Sequence, residues 1–395
     1  MSNSTPLPVL PQELIDTILW ELDDLESLKV CSLTSSSLRF ISQRILFYTL
    51  TVTVENCAAI FQRLTECPHL ADHVRSLIIR TLHAAMPSQD VTKFSQILDI
   101  LHNVRRCMLD GLWGRFPAIG APGQPLFPPS AIPQPLRDFL LRRRLQEISL
   151  ICIRIPIAIL WYFLTTVPNL YFHESVVIQN GPAAPTIIET PVLRSLILNS
   201  DNDIGQYIAR PQNMWCLGDL WHLSFCSPGD GWGGKLIEAA SRTLEHIHFD
   251  CAAHPPPPNL PPLPALRTLK LSFFGRFKSS GMAEVISRTA NVLSSLIFPE
   301  MLPALAEVRI EQHFAENGTF DAWPYLPLIT LLEIALAAYP TPPRTHWFLL
   351  MNDQETLFQD FANTIRGGMP KAHHTERLVL EACVPFQTPV KTFRI

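Results

Sequence analysis

Gly229, Gly234 and Lys235 stand at the spacing Gly-x-x-x-x-Gly-Lys, after a strand-like and before a helix-like segment. In a phosphate-binding loop that spacing lets backbone N–H groups wrap the phosphates while the Lys reaches them. The next residue must be Ser or Thr, whose hydroxyl holds Mg²⁺. Here it is Leu236, so the stretch reads as a Gly-rich turn capping the following helix. His246, His248, Cys251 and His254 crowd one short stretch. Tetrahedral zinc needs four ligands converging on one point. His246 and His248 share one strand face, but Cys251 and His254 fall in a loop running into prolines. These are read as surface histidines and no metal site is assigned. No Gly-x-Ser-x-Gly elbow is present. No carboxylate pair or cysteine setting suggests catalysis. The expectation is a chain with no catalytic residue and no cofactor, not an enzyme.

The bulk properties narrow the class. The 395 residues can hold two or three domains, and a net charge of −4 leaves no electrostatic footprint for nucleic acid. Nine cysteines are scattered singly, without a Cys-x-x-Cys pair, which implies reduced thiols in a cytoplasmic or nuclear setting. Residues 1–9 lack a basic region, so no signal peptide is expected. The most apolar stretch, residues 148–167, is interrupted by Arg154 and Pro156. The uninterrupted apolar run after Pro156 is about half of the roughly 20 residues a membrane span needs. The stretch reads as a buried strand followed by a buried helix, with no membrane role.

Most of the chain carries a recurring apolar-x-x-apolar-x-apolar core. Instances are Val74-Leu77-Ile79, Val104-Cys107-Leu109, Leu145-Ile148-Leu150, Leu193-Leu196-Leu198, Leu220-Leu223-Phe225, Leu244-Ile247-Phe249, Leu266-Leu269-Leu271 and Leu305-Val308-Ile310. Leu378-x-Leu380 is a degraded copy. Between Leu193 and Leu266 the copies start 27, 24 and 22 residues apart, near the roughly 20–29 of leucine-rich repeats. Each copy puts alternate apolar side chains on one strand face, which buries nothing alone. Stacking the strands, with a helix behind each, makes a continuous core. The expected class is α/β, an irregular leucine-rich-repeat solenoid of parallel strands backed by helices over residues 51–395. The Asn of regular repeats is mostly missing.

Two Pro-rich insertions punctuate this region. Residues 117–135 read as an insertion loop. Residues 254–264, HPPPPNLPPLP, favour polyproline II and read as a rigid spacer, with an SH3 or WW ligand as the sharper alternative. Beyond residue 340, Trp347 to Phe361 looks helical and Gly367-Gly368 with Pro370 ends it.

The elements ahead of the repeats are three short helices within residues 1–50. Pro11 suits a first helical position. Leu14, Ile15, Ile18, Leu19 and Leu22 recur at helical spacing. Asp24 can cap a second helix carrying Leu25, Leu28, Cys31 and Leu33. Ser35 to Ser37 can cap a third with Leu38, Ile41, Ile45 and Tyr48. Three such helices cannot bury all this apolar surface against each other, so a partner or following domain is implied.

At these residues the chain resembles the F-box family. The resemblance rests on Leu10-Pro11-x-Glu13-Leu14-Ile15-x-x-Ile18-Leu19, Leu28-Lys29-Val30, Ser42-Gln43-Arg44 and Leu46-Phe47, about a tenth of the chain. The family's usual closing Trp is Phe47 here, and Ser37 and Leu38 stand where an aromatic is common. The resemblance implies a three-helix module that binds a Skp-type adaptor of a cullin–RING ubiquitin ligase, through Leu10, Pro11, Leu14, Ile15 and Ile18, extended by Leu28 and Val30. The chain would then be a substrate receptor. The alternatives are a leucine-rich interaction scaffold outside any ligase and an enzyme using the Gly229–Lys235 loop.

The target would lie on the strand residues between the apolar positions, which point away from the core. Those are Ser195, Ile197 and Asn199, then His222, Ser224 and Cys226, then His246, His248 and Asp250, then Thr268, Lys270 and Ser272, then Glu307, Arg309 and Glu311. His222 and His246 share a repeat position, with His248 one step along. Together with Lys270 they are the expected target-binding patch, titrating between about pH 5 and 8.

Overall fold

The computed structural model describes residues 10–22, 24–80, 88–111, 132–173, 175–178, 191–199, 202–226, 231–251, 255–274, 279–313, 325–350 and 355–383. Gly229, His254 and residues 117–131 of the first Pro-rich insertion lie outside them. The chain divides into two compact units, residues 1–162 and 163–395. It is an α/β protein built on parallel strands.

The first unit begins with helices α1 (Gln12–Glu21), α2 (Leu25–Thr34) and α3 (Ser36–Leu46). Asp24 caps α2, accepting from the N–H of Glu26 at 3.1 Å and of Ser27 at 2.9 Å. The Ser27 hydroxyl and these two N–H groups hold the Asp24 carboxyl below its ordinary range. Ser35 caps α3 through the N–H of Leu38 at 3.2 Å. Pro11 flanks α1 from just outside, one position earlier than expected.

Strand and helix then alternate: β1 (Thr49–Val52), α4 (Cys57–Glu66), β2 (Ser76–Arg80), α5 (Ser88–Ile100), β3 (Arg106–Asp110), α6 (Gln134–Arg142), β4 (Glu147–Ile151), a short β5 (Arg154–Pro156) and α7 (Ile157–Thr166), within which the two units divide. β1, β2, β3 and β4 pair in chain order, all parallel. The apolar stretch 148–167 is thus strand and helix with a buried interior, and no described helix is long and apolar enough to cross a membrane.

The second unit continues the alternation with β6 (Asn169–His173), a short β7 (Val176–Ile178), β8 (Ser195–Asn199), α8 (Asn202–Ile208), β9 (His222–Cys226), α9 (Trp232–Ala240), β10 (His246–Asp250), β11 (Thr268–Phe274), α10 (Ser279–Leu296), β12 (Glu307–His313), α11 (Leu326–Ala337), β13 (Arg344–Leu350), α12 (Glu355–Gly368), α13 (Pro370–His374) and β14 (Leu378–Cys383). The ladder runs β6-β8-β9-β10-β11-β12-β13-β14, again parallel throughout.

Every apolar pair expected to point inward from β2 to β12 is buried, from Leu77 and Ile79 to Val308 and Ile310. Helices cover that face. The Phe225 ring packs on Trp232 of α9 and Trp347 on Phe361 of α12. Parallel pairing needs a crossover of a dozen residues or more between strands, which the helices supply. At the start of most of these strands one backbone carbonyl accepts two N–H groups from the next. Trp221 O takes Glu245 N and His246 N, both at 2.9 Å, and Glu245 O takes Arg267 N at 2.8 Å and Thr268 N at 3.0 Å. Backbone alone satisfies these turns, so a side-chain amide is not required there.

Two expectations are corrected and one is supported. Residues 344–350 form a strand rather than the start of a helix, because Thr345, Trp347 and Leu349 alternate inward and both neighbouring strands offer a ladder to them. The helix after it begins at Glu355 and does end at Gly368, before Pro370. β6 is a further repeat strand outside the expected copies, although Val167-Leu170-Phe172 has their spacing; Val and Phe stand in two of the usual Leu positions. Pro256, Pro257, Leu260 and Leu263 are buried, which ties the second Pro-rich segment to the body and supports the spacer reading.

Candidate functional site

Two surfaces emerge, one in each unit. In the first, α1 to α3 share a small core of Leu19, Leu28 and Ile41, ringed by Ile15, Leu22, Cys31, Leu38, Ile45 and Leu46. On α1 this takes Ile15, Leu19 and Leu22, spaced i, i+4, i+7, and leaves Leu14 and Ile18 on another face. Leu10, Leu14, Ile18, Leu25, Val30 and Leu33 are all at least half exposed. These apolar side chains are held outward and lie outside the module's own core.

The expected adaptor set therefore splits. Leu10, Leu14, Ile18 and Val30 are outward and Pro11 is exposed beside them. Ile15 is half-buried against the module's own core. Leu28 is 2 % exposed and cannot be a contact residue, because packing α2 on α3 consumes it. Leu25 and Leu33, read as inward, face out instead.

In the second unit the face of the strands opposite the helices carries the polar rows. His222 and His246 are register partners, as their repeat positions required. Their rings lie 6.4 Å apart, and Trp221 stands edge-on to His246 at 5.2 Å. His248 lies beside Lys270 in the next pairing. The structure brings together all four residues of the expected patch, but not as a freely solvated surface. Ser195, Ser224 and Ser272 are buried and hold the histidines: Ser195 Oγ to His222 Nδ1 at 2.7 Å, Ser224 Oγ to His248 Nδ1 at 2.8 Å, and His248 Nε2 to Ser272 Oγ at 2.7 Å. Ser272 donates onward to Glu311 Oε2 at 3.0 Å, and Lys270 pairs with Glu311 Oε1 at 2.7 Å.

This geometry overturns the expected titration. Burial, then His246 and Lys270, lowers His222 to about 4. Burial, with Lys270 and His222, pushes His248 far below the usual histidine range. His246 is also lowered, chiefly by burial. Both rings are thus biased towards the neutral form, and His248 bridges Ser224 and Ser272 from neighbouring strands. Ser195, Ser224, Ser272 and Glu311 were expected on this outward face, but the three serines are buried there beneath the histidines rather than exposed.

The other candidate chemistry fits structural roles. Gly231, at φ +71°, precedes α9, and a Cβ on Gly233 would meet the Phe225 ring at 2.5 Å. Those glycines serve a turn and close helix–strand packing. Among the described residues no cluster of three His, Cys, Asp or Glu can hold a metal. Burial pushes the thiols of Cys107 and Cys216 up to about 12, unsuited to nucleophilic work. No protein-family model matches the chain, and no curated protein matches it.

Proposed function

We propose that the chain is the substrate receptor of a Skp–cullin–F-box ubiquitin ligase, with α1 to α3 as an F-box-like module and the strand–helix units as an irregular leucine-rich-repeat solenoid. The observation that carries this is the outward apolar set Leu10, Leu14, Ile18, Leu25, Val30 and Leu33 on a module whose core is already closed by other residues. An adaptor helix pair laid on those residues would bury them. The receptor performs no chemistry. It holds a target at high effective concentration near the ubiquitin-charged enzyme. The target is taken on the strand face opposite the helices, where the rows around His222, His246, His248 and Lys270 form a rigid, internally hydrogen-bonded platform.

Co-purification of the full chain with a Skp-type adaptor tests the reading. Capture by the wild type, lost in Leu14→Asp with Ile18→Asp, supports it. A folded wild-type chain that captures no adaptor leaves a leucine-rich interaction scaffold outside any ligase.

A further inference from the structure

At the start of β12, β13 and β14 a groove of about 640 Å³ opens along the rim of the second unit. Arg309, Arg344 and Arg377 line it, with Glu307 as the acid. Its wall is the Pro-rich turn 340–343 together with Pro303. Prolines with fixed φ make that wall stiff, so little ordering is required of it on binding.

The charges do not balance. Glu307 is committed to Arg309 at 2.9 Å and to His346 Nδ1 at 3.7 Å. Arg344 is exposed and stands opposite Glu307 in register, but among the described residues neither it nor Arg377 makes an ion pair with a carboxylate. The two are also neighbours. Thr345 pairs with Leu378, and one residue back the same register sets Arg344 beside Arg377, while Thr345 N donates to Arg377 O at 2.8 Å. Adjacent parallel strands stand about 4.8 Å apart. Like charges directly opposite on neighbouring strands are destabilising, and an anion between them removes that cost. In the same groove Tyr339 is buried and its hydroxyl has no hydrogen-bond partner among the described residues.

We infer that this groove binds an acidic polypeptide segment, with Arg344 and Arg377 clamping one of its oxyanions. Guanidinium forks match the planar oxygens of a carboxylate and the tetrahedral oxygens of a phosphate, so the shared chemistry is an oxyanion. The inference rests on the receptor reading only in taking that segment to belong to the target.

Fluorescence anisotropy with the full chain tests it, using a glutamate-rich peptide, a phosphoserine peptide of matched sequence, the corresponding glutamine–serine peptide and inorganic phosphate as competitor. An acidic peptide is expected to bind, weakening as salt rises. Preference between the two acidic peptides identifies carboxylate or phosphate as the source. Arg344→Gln with Arg377→Gln should weaken binding by about tenfold or more. It should also melt no lower than wild type at low salt, since a repulsive pair has gone. Arg344→Gln alone, at an exposed position, gives a smaller loss and serves if the double variant does not fold. Equal binding of the neutral peptide, no peptide binding, or wild-type affinity in the variants overturns the inference. Adaptor capture is measured in the same preparations. If capture survives while peptides fail, the groove assignment falls alone; if peptides bind while capture fails, the ligase reading falls alone.

Discussion

Nε2 of His248 lies 2.7 Å from Oγ of Ser272, and this contact sets the proton positions along a chain spanning β9 to β12. Ser272 gives its only proton to the Glu311 carboxylate, which can only accept. The Ser272 oxygen must therefore accept from His248 Nε2–H. That leaves Nδ1 of His248 as an acceptor for the Ser224 hydroxyl. A second proton on the ring would oblige the Ser224 hydroxyl to turn and accept, and burial beside Lys270 is what favours neutral imidazole.

Stability should therefore fall as pH falls. Unfolded histidines titrate near 6.5, while His222 titrates near 4 in the fold and His248 well below its ordinary value. Between those limits the unfolded chain binds more protons, so acid favours unfolding. Each unit of difference corresponds to about 1.4 kcal/mol. Thermal melts between pH 7.5 and 4.5 are expected to show a steady decline that is shallower in His222→Gln with His248→Gln. Identical slopes in variant and wild type would contradict the neutral network.

Ser272→Ala should cost about 1–3 kcal/mol, because it strands both the His248 N–H and one Glu311 oxygen at a fully buried position. Denaturant titration reads this directly. A loss no greater than that of an exposed serine, Ser294→Ala on α10, would show that the chain is not a stabilising unit.

Leu10→Ala with Pro11→Ala should weaken adaptor capture by tens of fold, given about 2 kcal/mol for a truncated interface anchor, with the circular dichroism spectrum unchanged. Leu28→Ala should act differently. It empties the centre of the module and should cost about 2–5 kcal/mol of stability. A Leu28→Ala chain that keeps its stability and loses only adaptor would reverse the assignment of the two faces.

Gly233→Ala should destabilise by about 1–3 kcal/mol through overpacking against the Phe225 ring. Wild-type stability, measured by thermal denaturation, would mean that α9 can move away from β9.

Much of this architecture was legible in the residues. The spacing of Leu193, Leu196 and Leu198 and its copies located the strands, because a period of two on one side of a strand is written directly in side-chain type. Equal repeat positions also gave the pairing of His222 with His246, since parallel strands with equivalent turns pair in register. Asp24 and Ser35 were readable as caps because a cap is a contact within three residues. The features that residue type left open were set by neighbours distant in sequence. Whether Leu14 or Leu19 faces inward depends on where α2 and α3 pack, and both have the same hydropathy. Trp347 became a strand residue because β12 and β14 flank it, which no local pattern records. The histidines lost their ordinary titration chiefly because packing the strands side by side buries them, with Lys270 brought alongside from β11. Arg344 and Arg377 became neighbours only when β13 paired with β14. Local chemistry is carried by residue type and spacing; burial, charge pairing and protonation are properties of the neighbours that the fold brings alongside.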